Sequence, residues 1–471
     1  PAAVASIGGT QGVARVPAPT IDKPDPSAST RMTSVKLRRN PRFVRFWLAS
    51  TVSDFGTYIT TVALSVLVLV MLGGTALDQG LVNAARWAPY LLFGLLAGIW
   101  VDRFQRRTVL IAGDLGRGLV LVGLAVLAAL GVLGIPAVMA LLFCFGFLAL
   151  MSDAAYQSFL PQLVPRAQLV RANARLQQSD TVAQTSGGAL AGGLVALVSA
   201  PFALFIDALS YFFSGAVLLS LKQASTETPP RPNGSLRSRI GEGLRWIYGH
   251  ARLAPLAWKS HLWFIGSAIM GAVFPALILN ELRLGPLGLG LTVGCAGIGA
   301  VIGTLISNRL GERWGTGRAV IAADLLQPIA VALIALAPLV AFLNGQVTGA
   351  DYGSPADWSS ALWAAFILAA GGQLLFGFAL GSEGPLEMGY RQAVTPDRLI
   401  ARMSATMRSI NRGMIVIGAP LGGVIAAVAG VGIALWTAAV IMLAAALVLL
   451  FSAFRSARVE DDQLTDQAAQ V

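Results

Sequence analysis

The sequence predicts an all-α integral membrane protein: about twelve transmembrane helices in two six-helix bundles. Three observations carry that expectation. Hydrophobic residues make up 55% of the 471-residue chain and charged residues 12%, about half the charged share of a soluble domain, and the mean hydropathy is +0.70. Apolar stretches of roughly the 20 residues needed to cross a bilayer recur along the whole chain. Basic residues collect in alternate loops between those stretches. This composition excludes a soluble enzyme and excludes disorder except at the two ends.

Residues 1–41 are rich in Ala, Pro, Ser and Thr without an apolar core, so they predict a disordered tail and not a cleaved signal peptide; Met32 is a candidate start. Spans follow near 46–71, 79–101, 108–131, 136–160, 171–198 and 201–221, making residues 42–221 a first bundle. Residues 222–254 form a linker, and spans near 255–280, 286–308, 318–342, 360–382, 400–428 and 432–454 make residues 255–455 a second bundle, with 456–471 as a tail. The fifth and eleventh spans begin with polar turns.

The net charge of +11 is placed by topology. Arg38, Arg39, Arg42 and Arg45 precede the first span, and Arg103, Arg106 and Arg107 separate the second from the third. Arg166, Arg171 and Arg175 follow the fourth, a set from Lys222 to Lys259 follows the sixth, and similar groups follow the eighth, tenth and twelfth. The opposite loops carry almost no basic residues, Arg283 excepted. Basic loops stay cytoplasmic, so both termini are expected inside, in the plasma membrane. The excess charge is a topology signal and not a nucleic-acid footprint.

Between the bundles, residues 227–233 are rich in Pro and read as a linker. Ser235 is then placed to cap a helix with Leu236, Ile240, Leu244 and Ile247 on one face. Such a helix suits the surface of an anionic leaflet, and a plain polar connector is the competing reading. The two halves also resemble each other. The stretch from Pro165 to Ala174 aligns with Pro396 to Ala405, and the register continues to Gly187, Leu190 and Gly192 against Gly418, Leu421 and Gly423. Asp114 and Asp324 recur near the start of each third span. Two six-helix repeats about an axis along the membrane normal, with a cleft between them, form a transporter design.

Between the second and third spans stands Gly98-Ile99-Trp100-Val101-Asp102-Arg103-Phe104-Gln105-Arg106-Arg107. Gly98 permits close helix approach, Asp102 suits a helix N-terminus, and the arginines can pair with carboxylates. This stretch resembles the signature of the major facilitator superfamily. Phe46-Trp47, Val62 to Leu64, Ala84 to Arg86, Pro89 and the Leu163–Ala174 region are similar to its enterobactin-exporter and macrolide-efflux subgroup, the transmembrane secretion effectors. The resemblance implies that Gly98, Asp102, Arg103, Arg106 and Arg107 latch the halves together on the cytoplasmic side, with Asp153 as an arginine partner. It also implies export of amphipathic compounds such as siderophores or macrolides on the proton gradient. Two departures stand out. The second-half copy, Gly303 to Arg309, lacks the acidic residue, and the glycine run Gly187–Gly193 lacks the proline common in antiporters of the superfamily.

An ionisable residue within a span costs at least about 2.5–3.5 kcal/mol at the bilayer centre, so each needs a reason. Asp54, in a polar patch of the first span, is the expected proton-coupling group; a permanently paired structural aspartate is the alternative. Tyr58, Arg86, Asp207, Asn411 and Arg412 are expected to line the cleft, with Arg86 and Asp207 deep enough to pair or Arg86 free to meet an anionic substrate group. Asp114 and Arg117 form a structural i,i+3 pair. Glu383 and Glu387, one turn apart at the inner end of the tenth span, are gate candidates. Aromatic lining is expected among Phe55, Tyr58, Trp87, Trp263, Phe274, Phe376 and Phe378. No catalytic set, metal-ligand cluster, cofactor motif or nucleotide-binding loop is present. The partners expected are the bilayer, protons and an amphipathic small molecule, and the chain is expected to act as a monomer. A same-fold importer or lipid translocator is the alternative, and a non-transporting receptor or scaffold the alternative of another class.

Overall fold

The computed structural model describes residues 37–101, 103–165, 168–221, 236–343 and 355–458. The first half contains α1 (Pro41–Val66, prolonged by a π-turn at Leu67–Met71), α2 (Ala76–Val101), α3 (Arg106–Ala129), α4 (Ile135–Leu163), α5 (Leu169–Val198) and α6 (Ala200–Ser220). A short helix, α7 (Leu236–Gly249), precedes the second half. There α8 (Leu253–Ala276, with a π-turn at Leu277–Glu281) is followed by α9 (Gly285–Trp314), α10 (Thr316–Leu343), α11 (Ser360–Ala393), α12 (Asp397–Ala429) and α13 (Val431–Leu450). Among the described residues, eleven helices are long and apolar enough to cross a membrane. The remaining long helix, α2, has 26 residues and packs on α4, α8 and α12, completing the set of twelve spans.

Local chemistry sets the helix starts. The Asn40 side chain accepts from the backbone N–H of Arg42 (3.1 Å) and Phe43 (3.3 Å), and Pro41 supplies a preorganised first turn. The same Asn40 amide donates to the Leu163 carbonyl at 2.8 Å, tying α1 to the end of α4. At α2, Thr75 and Asp78 cap each other reciprocally, both Thr75 donors reaching Asp78 Oδ2 at 2.7 Å.

The halves share one packing plan. In the first, α1 lies on α5 and α6, α2 on α4, and α3 on α4 and α6; in the second, α8 lies on α12 and α13, α9 on α11, and α10 on α11 and α13. The repeat reaches down to the π-turns. Leu72 N–H bonds Leu67 O at 2.9 Å and Gly74 N–H bonds Val68 O at 2.8 Å, while Leu282 and Leu284 bond Leu277 and Ile278 at 2.8 and 2.9 Å. Gly73 turns the first corner with φ +62°, and Arg283 turns the second with φ +51°, a conformation that costs a non-glycine residue about 1–2 kcal/mol.

The halves meet along α5 against α9 and α2 against α12. Glycine makes both crossings possible. Gly192 and Gly290 face each other so closely that a Cβ on either would collide with the other's backbone, and Gly297 abuts the Thr185 backbone. On the other crossing, Gly80 lies against the Ala419 carbonyl and Gly423 against the Leu77 Cα. The glycine run without its proline is therefore the floor of an interhelical contact, and its repeat partner in α12 serves the equivalent contact with α2. Both tight crossings lie toward the side opposite the basic loops.

The linker helix differs from the expected membrane-surface helix. Gly243 and Ile247 are buried, Gly243 against Thr406 and Ile247 among Ala257, Met403 and Met407. Glu242 pairs with Arg402, and Trp246 donates to Thr395 at 3.3 Å. An apolar helix face looks the same in sequence whether lipid or protein covers it; here α8 and α12 cover the described part. The side chains of residues 236–240, the linker expected at 227–233 and the predicted terminal tails up to residue 36 and from 459 onward lie outside the described residues.

Replacing Gly290 by Leu should separate α5 from α9 on the side opposite the basic loops. In a protein with Cys144 and Cys295 changed to Ser and a single cysteine at Val293, that substitution is expected to raise thiol labelling severalfold from that side.

Candidate transport cavity

A cavity of about 1130 Å³ opens between the halves. Its walls come from α1 to α6 of the first half and from α8 and α12 of the second, and it runs from Trp263 and Ala419 in mid-span to Asn173 and Gln177. Those two are exposed near the basic-side start of α5. The cavity therefore opens toward the basic loops, while the glycine crossings close the other side.

One wall is acidic. Asp54 and Tyr58 stand one turn apart on α1, and the Tyr58 hydroxyl donates to Asp180 of α5 at 3.2 Å, with Gln177 donating to the same carboxylate at 3.3 Å. Beside them Trp47 donates to Ser179 at 2.7 Å, clamping α1 to α5. Among the described residues, Asp54 itself has no hydrogen bond or ion pair. Asp180 escaped the sequence reading, although an acid eleven residues into a span meets the same criterion that singled out Asp54.

The facing wall is cationic and aromatic. Arg86 and Arg412 both lie over Trp87, and Phe145, Tyr90 and Trp263 complete that part of the lining. Arg117 pairs with Asp114, whose other oxygen accepts from Ser214 at 2.6 Å, so this pair is structural as expected from its spacing. Of the aromatic residues expected to line the cleft, Tyr58, Trp87 and Trp263 do so, and Phe55, Phe274, Phe376 and Phe378 do not.

Several expected site residues lie elsewhere. Asp207 is fully buried between α1 and α6; its oxygens accept from Thr60 (2.5 Å) and Ser210 (2.8 Å), so it neither pairs with Arg86 nor reaches the cleft. Asn411 bonds His261 at 2.8 Å, and His261 bonds Tyr248 of α7 at 2.6 Å, drawing Asn411 into the second half's interior. In the latch motif, Asp102 lies outside the described residues, and of Gly98 only the helical backbone is described. Arg103 is exposed, and Arg106 opens α3. Arg107 donates to the last carbonyls of α6, Leu218 (2.9 Å) and Leu219 (2.6 Å); a cation capping a helix C-terminus within its own half is not a contact across the halves. Asp153 lines the cavity and accepts from Tyr90 at 2.7 Å.

Glu383 and Glu387 form no gate on the cavity. They belong to a network inside the second half, centred on Lys259 of α8, which is 2% exposed. Its ammonium reaches Asp324 at 2.8 Å, Glu383 at 3.2 Å and Glu387 at 3.0 Å, and Arg391 pairs with Glu387 while donating to Ser260 at 2.6 Å. In sequence Lys259 counts among the basic residues near a span's end, which topology alone explains. The structure instead turns it inward, six residues into α8.

Two pseudo-equivalent bundles around a polar central cavity define a secondary transporter. The sequence pattern of the family described as transmembrane secretion effector matches residues 33–350, and the chain belongs to this family of major facilitator transporters. The enterobactin exporter EntS of Salmonella typhi is 24% identical over 390 residues, covering 82% of this chain and 86% of the relative. The uncharacterized MFS-type transporter YfiS of Bacillus subtilis (strain 168) is 28% identical over 216 residues, 45% of this chain, and the match spans 50% of that relative's length. A bacterial homologue of the iron transporter ferroportin, solved in an inward-facing state, shares the fold with a TM-score of 0.67 at 16% identity, over 88% of this chain and 99% of that one. The nucleoside transporter NupG (D323A mutant) does so with a TM-score of 0.67 at 12% identity, over 87% and 99%.

Lys259→Met leaves three buried carboxylates to share Arg391. It should destabilise the protein by about 3–5 kcal/mol, the cost of breaking a buried pair by removing one partner. Adding Asp324→Asn and Glu383→Gln should restore much of the loss, as followed by thermal unfolding in detergent.

Proposed function

We propose that the protein is a proton-coupled exporter of an amphipathic small molecule, working as a monomer by alternating access in a bacterial inner membrane. The observation that carries this reading is Asp54: a carboxyl group in the cavity wall, free of hydrogen bonds and ion pairs among the described residues, beside Asp180. Such a group can exchange its proton with whatever enters the cavity. Basic loops stay on the cytoplasmic side, so the open mouth faces the cytoplasm, where an exporter loads its cargo. The similarity to the EntS enterobactin exporters supports the same direction.

In this cycle cargo entering from the cytoplasm displaces the proton of Asp54. The halves then rock about the cavity, the glycine crossings part, and a proton arriving from outside returns to Asp54 as cargo leaves. In the conformation described, the latch residue Arg107 is engaged within its own half, capping the end of α6, in keeping with a cytoplasmic side that stands open.

The test is proton release from purified protein in weakly buffered detergent on addition of siderophores, macrolides and dyes, with binding followed by tryptophan fluorescence. Wild type should release protons with at least one ligand class, and Asp54→Asn should bind that ligand without release. Binding with no proton release from the wild-type protein would overturn the coupling and favour a uniporter or lipid carrier.

A further inference from the structure

The intramembrane cations of this protein differ in the company they keep. Arg117 has Asp114, and its guanidinium lies 4.4 Å from the Tyr211 ring centre. Lys259 has Asp324, Glu383 and Glu387, and Arg391 shares Glu387. Arg86 and Arg412 have no carboxylate within ion-pair distance among the described residues. Both lie over one indole instead: the Arg86 Cζ is 5.6 Å and the Arg412 Cζ 4.0 Å from the Trp87 centroid. Arg86 also lies 5.4 Å from the Phe145 ring, and Arg412 5.5 Å from the Tyr90 ring.

This arrangement is incomplete as electrostatics. A cation over an aromatic face gains about 0.5–2 kcal/mol, while a charge held within a span costs at least about 2.5–3.5 kcal/mol. Two like charges on one ring also repel each other. Asp153, which lines the same cavity, is engaged by the Tyr90 hydroxyl at 2.7 Å. A guanidinium is shaped to take a carboxylate or phosphate through paired N–H donors, and both guanidiniums line the cavity. They also come from opposite halves, Arg86 from α2 and Arg412 from α12, so an anion between them would be held by both bundles together.

We propose that Arg86 and Arg412 bind an anionic group of the cargo, with Trp87 and Phe145 receiving the apolar or planar part next to it. The transported molecule is then an organic anion. This inference rests on the transport reading above and names the substrate class of the same cavity. A free organic acid and an anionic lipid headgroup share this chemistry.

Calorimetric titration of the full-length protein in detergent tests it with three probes of one shape: naphthalene-1-acetate, the neutral naphthalene-1-acetamide and the cationic 1-naphthylethylamine. The acetate should bind at least tenfold more tightly than the acetamide. Arg86→Gln and Arg412→Gln should each bring that ratio close to one, and the Lys variants should keep part of it. Because the ratio is taken within each variant, a partly unfolded sample does not imitate the effect. Equal affinity for acetate and acetamide in wild type, a preference for the amine, binding of none of the three, or an unchanged ratio in both glutamine variants would overturn the proposal. A failure of the transport reading shows separately, as absent proton release in the Asp54 comparison. Displacement of the acetate by dihexanoyl-phosphatidylglycerol but not dihexanoyl-phosphatidylcholine supports the site with a lipid anion as cargo. Displacement by neither supports it with a free organic acid.

Discussion

Charge inside a hydrocarbon layer must be neutralised, hydrogen-bonded or given access to water, because an isolated ion there costs several kcal/mol. The interior of this protein is organised by that constraint. Where the first half buries an acid at the start of its third helix, Arg117 one turn on completes it. At the equivalent place in the second half Gln327 stands in the arginine's position, donating to Asp324 at 3.4 Å, and the missing cation comes from α8 as Lys259. One requirement has thus been met twice by different helices. Among the described residues, Asp54, Arg86 and Arg412 lack a carboxylate or cationic partner at ion-pair distance, and all three line the cavity between the halves.

The two bundles consequently differ in character despite their common packing plan. The second is cross-braced, its α8, α10 and α11 joined through Lys259. The first contributes six helices to the cavity wall, and its polar contacts, such as Trp47 to Ser179 and Tyr58 to Asp180, bridge α1 and α5 at the cavity edge. The docking of α7 on α8 and α12 adds that helix to the braced half. Whatever movement occurs between the halves, α7 is packed so as to travel with the second of them.

The architecture was legible because each span is a separate apolar signal and the basic loops fix how the spans alternate. Single residues were legible only where one physical explanation excluded the others. Asp54 stood out because nothing but function or pairing accounts for an acid amid an apolar run. Asp180 met the same condition but lay in a span whose polar first turns blurred its edge. Lys259 was hidden because a lysine at a span's end already has a sufficient cause in topology. Arg107 was read as a latch because its motif suggested one, and only its hydrogen bonds to Leu218 and Leu219 show it capping α6. Asp207 and Asn411 have the depth of cleft residues but the wrong azimuth around their helices, and depth is all that hydropathy reports.

The arginine pair has an electrical consequence. If, as proposed, a singly charged organic anion leaves the cell against one entering proton, each cycle would transfer two elementary charges across the membrane in the same sense. An exchange of that kind is electrogenic, and an interior-negative potential drives it forward by about 2.3 kcal/mol per charge for each 100 mV. The voltage would then sustain export even where the pH difference across the membrane has collapsed, as it does for a cell growing in alkaline surroundings.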